Sequence, residues 1–209
     1  MSRMDDIVTD HLSFSRIRQF LMCGLAYFFK YVAKLKPAFT PAAMAFGSAF
    51  HRAVEEALVA KMTGVSPSVD ELIVVFGQSL DESEGIAPIR WGEKDDRASA
   101  IDQARRMLVA WLTWERPPGR ILAVEQLYRE GLRDMIESIG KPVRLNWEVI
   151  GKTKAPWIER IELSNPPETA ARPVKVATLV LEMIEKGLFA PSPGWTCSTC
   201  PYREACRSW

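Results

Sequence analysis

WTCSTCPYREAC, residues 195–206, sets Cys197, Cys200 and Cys206 in a C-x2-C-x5-C run. Two residues between thiols let the backbone turn and aim both sulfurs at one centre, so the run reads as three ligands of a soft-metal site. A closed thiolate site takes four ligands, so one is missing from the tail. The chain has two histidines, His11 and His51, neither near the tail in sequence, and one further cysteine, Cys23. A ligand from Cys23 would close one site from both ends of the chain. The plainer alternatives are incidental thiols or zinc held with a histidine, and four thiolates by themselves suit zinc as well as a [4Fe-4S] cluster.

Composition narrows the setting. The chain has 209 residues, 47% of them hydrophobic, which is enough for a real core. With 27 Lys and Arg against 26 Asp and Glu, no overall field announces a polyanionic partner, so nucleic-acid binding would need a local basic patch. The opening MSRMDDIVTDHLSFSR is acidic and polar where a secretory signal carries a basic start and an apolar run. No apolar run approaches the ~20 residues of a membrane span. These features lead to the expectation of a soluble, cytoplasmic protein, in which CxxC spacing signals metal binding rather than disulfides.

Working back from the tail, periodicity predicts mostly helices. Ser13 or Ser15 caps a helix through IRQFLMCGLAYFFKYVAKL that carries Cys23 and ends before Pro37. A second helix, FGSAFHRAVEEALVAKM, stops at Gly64 and puts His51 and Glu55 on one face. A third runs near Val69 to Leu80, and the fourth is ASAIDQARRMLVAWLTWE, ending at Pro117 and Pro118. ILAVEQLYREGL and KPVRLNWEVIGKT are the strand candidates, the second with Val143, Leu145, Trp147 and Val149 alternating against polar residues. Residues 156–173 read as loop, followed by a last helix, VKVATLVLEMIEKG, that stops at Gly187. The expected layout is a single domain over 1–209: a helical region over residues 1–118, a reduced β region over 119–155, and a C-terminal helix with the cysteine cluster over 156–209.

Three motifs carry a family resemblance. SFSRIRQFLMCGLAYFFKYV (13–32) resembles the entry helix of the RecB-like nucleases of the PD-(D/E)XK superfamily, where Ser-x-Ser opens a helix and Cys-Pro-x-x-Tyr supplies the first cluster ligand. Here Gly24 stands in place of the proline, and Tyr27 keeps the aromatic. GSAFHRAVEEAL (47–58) resembles the family's Gly-x-x-x-His helix, and CSTCPYREAC (197–206) its C-terminal cluster signature. AddB-type helicase-nucleases and the four-cysteine CRISPR-associated exonucleases share the one-plus-three cysteine layout. The resemblance implies an α/β, helix-rich, restriction-endonuclease-like core with a reduced central sheet of two or three strands. It also implies a [4Fe-4S] cluster on Cys23, Cys197, Cys200 and Cys206, with zinc as the alternative. DNA would be the substrate, in repair, recombination or a phage or CRISPR setting, with a helicase or other protein as partner.

The same resemblance implies Mg2+ or Mn2+ held by the helix histidine and by acids of a Gly-x-x-Asp and an (Asp/Glu)-x-Lys strand. The acid and lysine must be two apart on a strand so that both face one ion. None of the ten lysines has Asp or Glu two positions before it. Glu148 and Lys152 are four apart, about 13 Å along a strand, too far to serve one ion and one water. EVIGKTKAPW resembles a segment the family carries downstream of its catalytic core, which implies an internal deletion between about Asp134 and Lys141. Gly131-Leu-Arg-Asp134 matches Gly-x-x-Asp, with Glu125 before it, so His51, Glu125 and Asp134 remain as fragments of a centre. A lone helical histidine is otherwise a half-buried structural residue.

Candidate DNA contacts are Arg16 and Arg18, Arg105 and Arg106, Arg203 and Arg207, with Tyr202 or Trp195 for stacking. Trp111 and Trp114 read as core. The expected function is that of an iron-sulfur nuclease-family protein, ancestrally a metal-dependent phosphodiester hydrolase, with an incomplete centre. A non-catalytic DNA- or partner-binding module and a zinc-stapled helical interaction protein are the alternatives. The exposed edges of a reduced sheet would favour a dimer or larger complex.

Overall fold

The computed structural model describes residues 13–115, 146–162 and 167–209. The strand expected at ILAVEQLYREGL, together with Glu125, Asp134, Val143 and Leu145, lies outside the described residues. The described chain forms two compact units.

The first unit gathers residues 13–41, 86–88 and 167–209. Helix α1 (Phe14–Met22) begins where the Ser13 hydroxyl accepts the Arg16 amide at 3.3 Å. The expected single helix through Cys23 is instead broken there. Cys23 is extended (φ −165°, ψ 107°), and its amide still closes α1 on the Gln19 carbonyl. Its own carbonyl accepts Tyr27 N–H and opens α2 (Gly24–Tyr27). The physical reason lies at the next residue. Gly24 is buried with Ala190 main chain packed where a side chain would stand, and the Leu25 amide donates to the Ala190 carbonyl at 3.1 Å. A tertiary main-chain bond has replaced the helical one.

Helix α2 widens into a π-helical turn, Phe28–Val32, which closes when Leu35 N–H bonds back to Phe29 and Lys34 adopts φ +49°. For a residue with a Cβ, that left-handed conformation costs roughly 1–2 kcal/mol relative to the right-handed one. The two-residue strand β1 (Thr40–Pro41) ends this stretch. Phe20 and Tyr27 meet edge to face at 5.4 Å and pack with Val180 and Ile184 of the C-terminal helix. A second cluster, Leu25, Ala26, Phe29 and Tyr202, packs against Cys23, Cys200 and Cys206.

The second unit holds 42–85, 89–115 and 146–162. It contains α3 (Ala42–Met62), α4 (Val69–Ile86), the two-residue β2 (Ile89–Arg90), α5 (Arg97–Thr113), β3 (Asn146–Ile150) and β4 (Ile158–Glu162). Ala45, Ala49, Ala53 and Ala57 recur every four residues on α3, a small-residue stripe buried against Leu72, Phe76 and Leu80 of α4 and Leu108 and Trp111 of α5. Ser68 and Glu71 cap α4 reciprocally, as do Asp96 and Ser99 at α5. At the end of α3, Gly64 (φ +81°) lets Val65 N–H reach the Ala60 carbonyl while its own amide bonds Lys61, a Schellman closure. Gly187 (φ +67°) does the same after α6 (Pro167–Glu185).

The region expected to be loop, 156–173, contains both β4 and the first turns of α6. β4 escapes the pattern because its inward positions are Ile158 and Arg160, one apolar and one charged, so no hydrophobic alternation shows. Pro173, which suggests a helix start, lies inside α6, whose upstream PETAA is itself helix-favouring. Two short helical segments, Trp195–Thr199 (3-10) and α7 (Arg203–Arg207), complete the tail.

Gly24→Ala puts a Cβ 3.1 Å from the Ala190 oxygen, a main-chain atom already fixed by the Leu25 amide. Urea denaturation is expected to show a loss of roughly 1–3 kcal/mol, the usual range for overpacking. A neutral result would mean that the Ala190 strap yields freely.

Candidate functional site

Among the described residues, His51, Glu148 and Lys152 fall in the second unit. On the β3–β4 hairpin, Glu148 sits directly opposite Arg160, and the register puts Ile150 opposite Ile158 on the same inward face. Arg160 Nη2 donates to Glu148 Oε1 at 2.7 Å, and Trp111 Nε1 donates to Oε2 at 3.0 Å. The Arg160 guanidinium lies 5.1 Å from the Trp114 ring centroid. Glu148 and Arg160 are each 23% exposed, so this pair works in a partly dry environment. Trp111 is buried core, as expected, but it also holds Glu148 through its indole N–H.

Lys152 turns elsewhere, with its ammonium 3.7 Å from the Phe46 ring centroid. Two residues before it stands Ile150, packed on the α3–α5 core. No carboxylate therefore shares the strand spacing with Lys152, and Glu148 and Lys152 do not serve one site. The hairpin is seated by this polar set and by Gln103, which donates to the Thr153 carbonyl at 2.9 Å. Sequence pattern gives no signal for Arg160, because it lies in a stretch that reads as loop.

His51 is exposed on α3 and lines an open groove of about 390 Å3 with Ser48, Arg52 and Glu55 of the same helix and Ser79 and Glu82 of α4. The expected sharing of a face by His51 and Glu55 holds, but Glu55 is tied to Arg52 at 3.1 Å. Glu125 and Asp134 are outside the described residues, so of the three expected catalytic positions only His51 is located.

The four cysteines lie in the first unit. Cys197 is exposed, and Cys23, Cys200 and Cys206 are half-buried against Leu25, Phe29 and Tyr202. Burial pushes the Cys200 thiol up, its hydrogen bond with the Tyr202 backbone opposes this, and the charges of Cys23, Cys197 and Cys206 each raise it further. The donor set suits a thiolate-ligated zinc or iron-sulfur group, and the cysteines share one neighbourhood. They are gathered without being closed: among the described residues no group of three or more His, Cys, Asp or Glu side chains is arranged to hold an ion.

Several expected DNA contacts are already engaged. Arg105 pairs with Asp70, Arg106 with Asp102, and Arg207 with Glu204. Tyr202 is 7% exposed and so is a core residue, while Trp195 is 86% exposed. Among the described residues no helix is long and apolar enough to cross a membrane.

A family model described as the PD-(D/E)XK nuclease superfamily matches residues 11–152. Comparison with curated proteins and with solved structures gives no match.

Glu148→Ala leaves Arg160 and the Trp111 indole without their shared acceptor, and chemical denaturation is expected to show a loss of about 2 kcal/mol. A double-mutant cycle with Arg160→Ala should return a coupling of about 1 kcal/mol or more. Zero coupling would show that the pair adds nothing to hairpin docking.

Proposed function

The chain belongs to the PD-(D/E)XK nuclease superfamily, and from that premise we propose that it is a RecB-like, DNA-directed member whose four cysteines hold a [4Fe-4S] cluster as a structural staple. The observation that supports the cluster is the packing of Cys23, from the start of the chain, and of Cys200 and Cys206, from its tail, against the same Leu25–Phe29–Tyr202 cluster. The extended Cys23 helps, since a cap residue outside the helical path is free to aim its thiol differently from a helical one. When bound, the cluster supplies iron-thiolate bonds that cross-link the first helix to the tail. Cys23 and Cys197 are far apart in sequence, so closing that loop restricts the unfolded chain by several kcal/mol. Zinc on the same thiols is the competing reading.

The superfamily points to DNA as substrate and to phosphodiester hydrolysis as the ancestral reaction. A bound Mg2+ or Mn2+ would polarise the phosphate and acidify a water. His51, Glu125 and Asp134 are this chain's candidates to hold it. Against turnover stand the absence of any (Asp/Glu)-x-Lys pair in the sequence and the commitment of both Glu148 oxygens to Arg160 and Trp111. The reading is therefore of a domain that binds DNA, with a helicase or other protein as partner, and does not cut it.

Protein purified anaerobically should be brown, with about four irons and four labile sulfides per chain, and Cys23→Ser should lose the colour. A colourless protein with stoichiometric zinc would replace the cluster by zinc. With Mg2+ or Mn2+ and labelled single- or double-stranded DNA, no cleavage is expected. Robust cleavage abolished by His51→Ala or Asp134→Ala would overturn the non-catalytic reading.

A further inference from the structure

The near-neutral total charge conceals a sharp segregation. Residues 13–41 carry Arg16, Arg18, Lys30, Lys34 and Lys36 and not one Asp or Glu, whereas residues 42–85 carry two basic and seven acidic residues. The His51 groove belongs to the acidic stretch, and with Arg52 paired to Glu55 and Glu82 also in its lining it offers a phosphodiester backbone no net positive charge. The basic stretch is the opposite. On it Arg16 and Lys30 both lie 5.0 Å from the centroid of one ring, Tyr31.

Lys34 adds a second observation. It holds the left-handed position that closes the π turn, where glycine would sit without strain, and it presents an exposed ammonium there. Lys30, Lys34 and Lys36 are all exposed, and no ion pair to any of them is seen among the described residues. The segment that carries them runs along the cysteine tail: Ala38 N–H donates to the Pro201 carbonyl at 3.1 Å, and the Phe29 and Tyr202 rings stand 5.9 Å apart. The same tail presents the exposed Trp195.

We propose that the π turn and its following loop, through Lys30, Lys34 and Lys36, form the surface on which this chain holds the phosphate backbone of DNA, in place of the acidic His51 groove. The proposal rests on the DNA-directed reading above and locates its binding surface. Recognition through lysine ammonium groups is a matter of point charges, so binding is independent of base sequence and strongly salt-dependent.

Fluorescence anisotropy on the full chain, with a labelled 30-mer as single strand and as duplex of two unrelated sequences, tests this over a series of salt concentrations. The triple variant Lys30→Glu, Lys34→Glu, Lys36→Glu should weaken binding more than about tenfold and flatten the log Kd against log salt slope by about two to three. A charge-matched control, Lys94→Glu, Lys154→Glu, Lys175→Glu, changes the net charge equally on other exposed positions and should stay within about threefold of the wild type. Equal loss in both triples would reduce the effect to net charge and overturn the assignment while leaving the DNA-directed reading intact. No wild-type binding to either DNA at low salt would sink both. Equal affinity for a polyglutamate chain would also overturn the proposal, in favour of an acidic protein partner. Circular dichroism monitors folding, and if the glutamate triple unfolds, the milder Lys→Gln triple should still flatten the slope.

Discussion

Leu25 N–H donates to the Ala190 carbonyl, and Gly24 beside it has no side chain to hold the two backbones apart. Around that contact the first unit is organised. It breaks the N-terminal helix at Cys23, turns the thiol out of the helical path, and sets Tyr27 against Phe189 and Phe20 against the C-terminal helix. It also fixes which end of the chain meets which. A polar main-chain bond that is buried and geometrically exacting specifies register where apolar packing alone would tolerate sliding. The cysteines inherit their common neighbourhood from it.

The second unit uses a different logic. Its helices are joined by an alanine stripe that permits close approach, and its hairpin is docked by a charged pair under two indoles. Here Glu148 has both oxygens occupied by Arg160 and Trp111, and its electrostatics are settled within the protein. Glu148 thus serves the docking of the hairpin.

The helices are legible in the sequence, because their apolar residues recur at helical spacing and their ends carry Ser13, Gly64 and Gly187, which have unambiguous capping chemistry. Legibility ends where tertiary contacts override local pattern. Cys23 sits in an apolar helical run, and only the Ala190 contact, more than 160 positions away, breaks that run. β4 has an arginine where the period asks for an apolar residue, and that arginine makes sense only when Glu148 and Trp114 are seen beside it. Of the candidate site, the C-x2-C-x5-C spacing of the tail and the single further cysteine, Cys23, are legible in the sequence, while the fate of Glu148 is not. The unbroken positive charge of residues 13–41 was present in the sequence but masked by a total near zero.

Because the first unit is assembled from residues 13–41 and 167–209, its order of formation differs from its order of synthesis. On the ribosome, α1 and α2 emerge with Phe20, Leu25, Tyr27 and Phe29 exposed, and their packing partners follow more than a hundred residues later. The second unit, broken only at 86–88, has its helices in hand well before then. Non-local closure of this kind is slow and leaves sticky surface waiting. The nascent N-terminal helix is therefore the segment most in need of a chaperone, and loss of the last few dozen residues would strand it permanently.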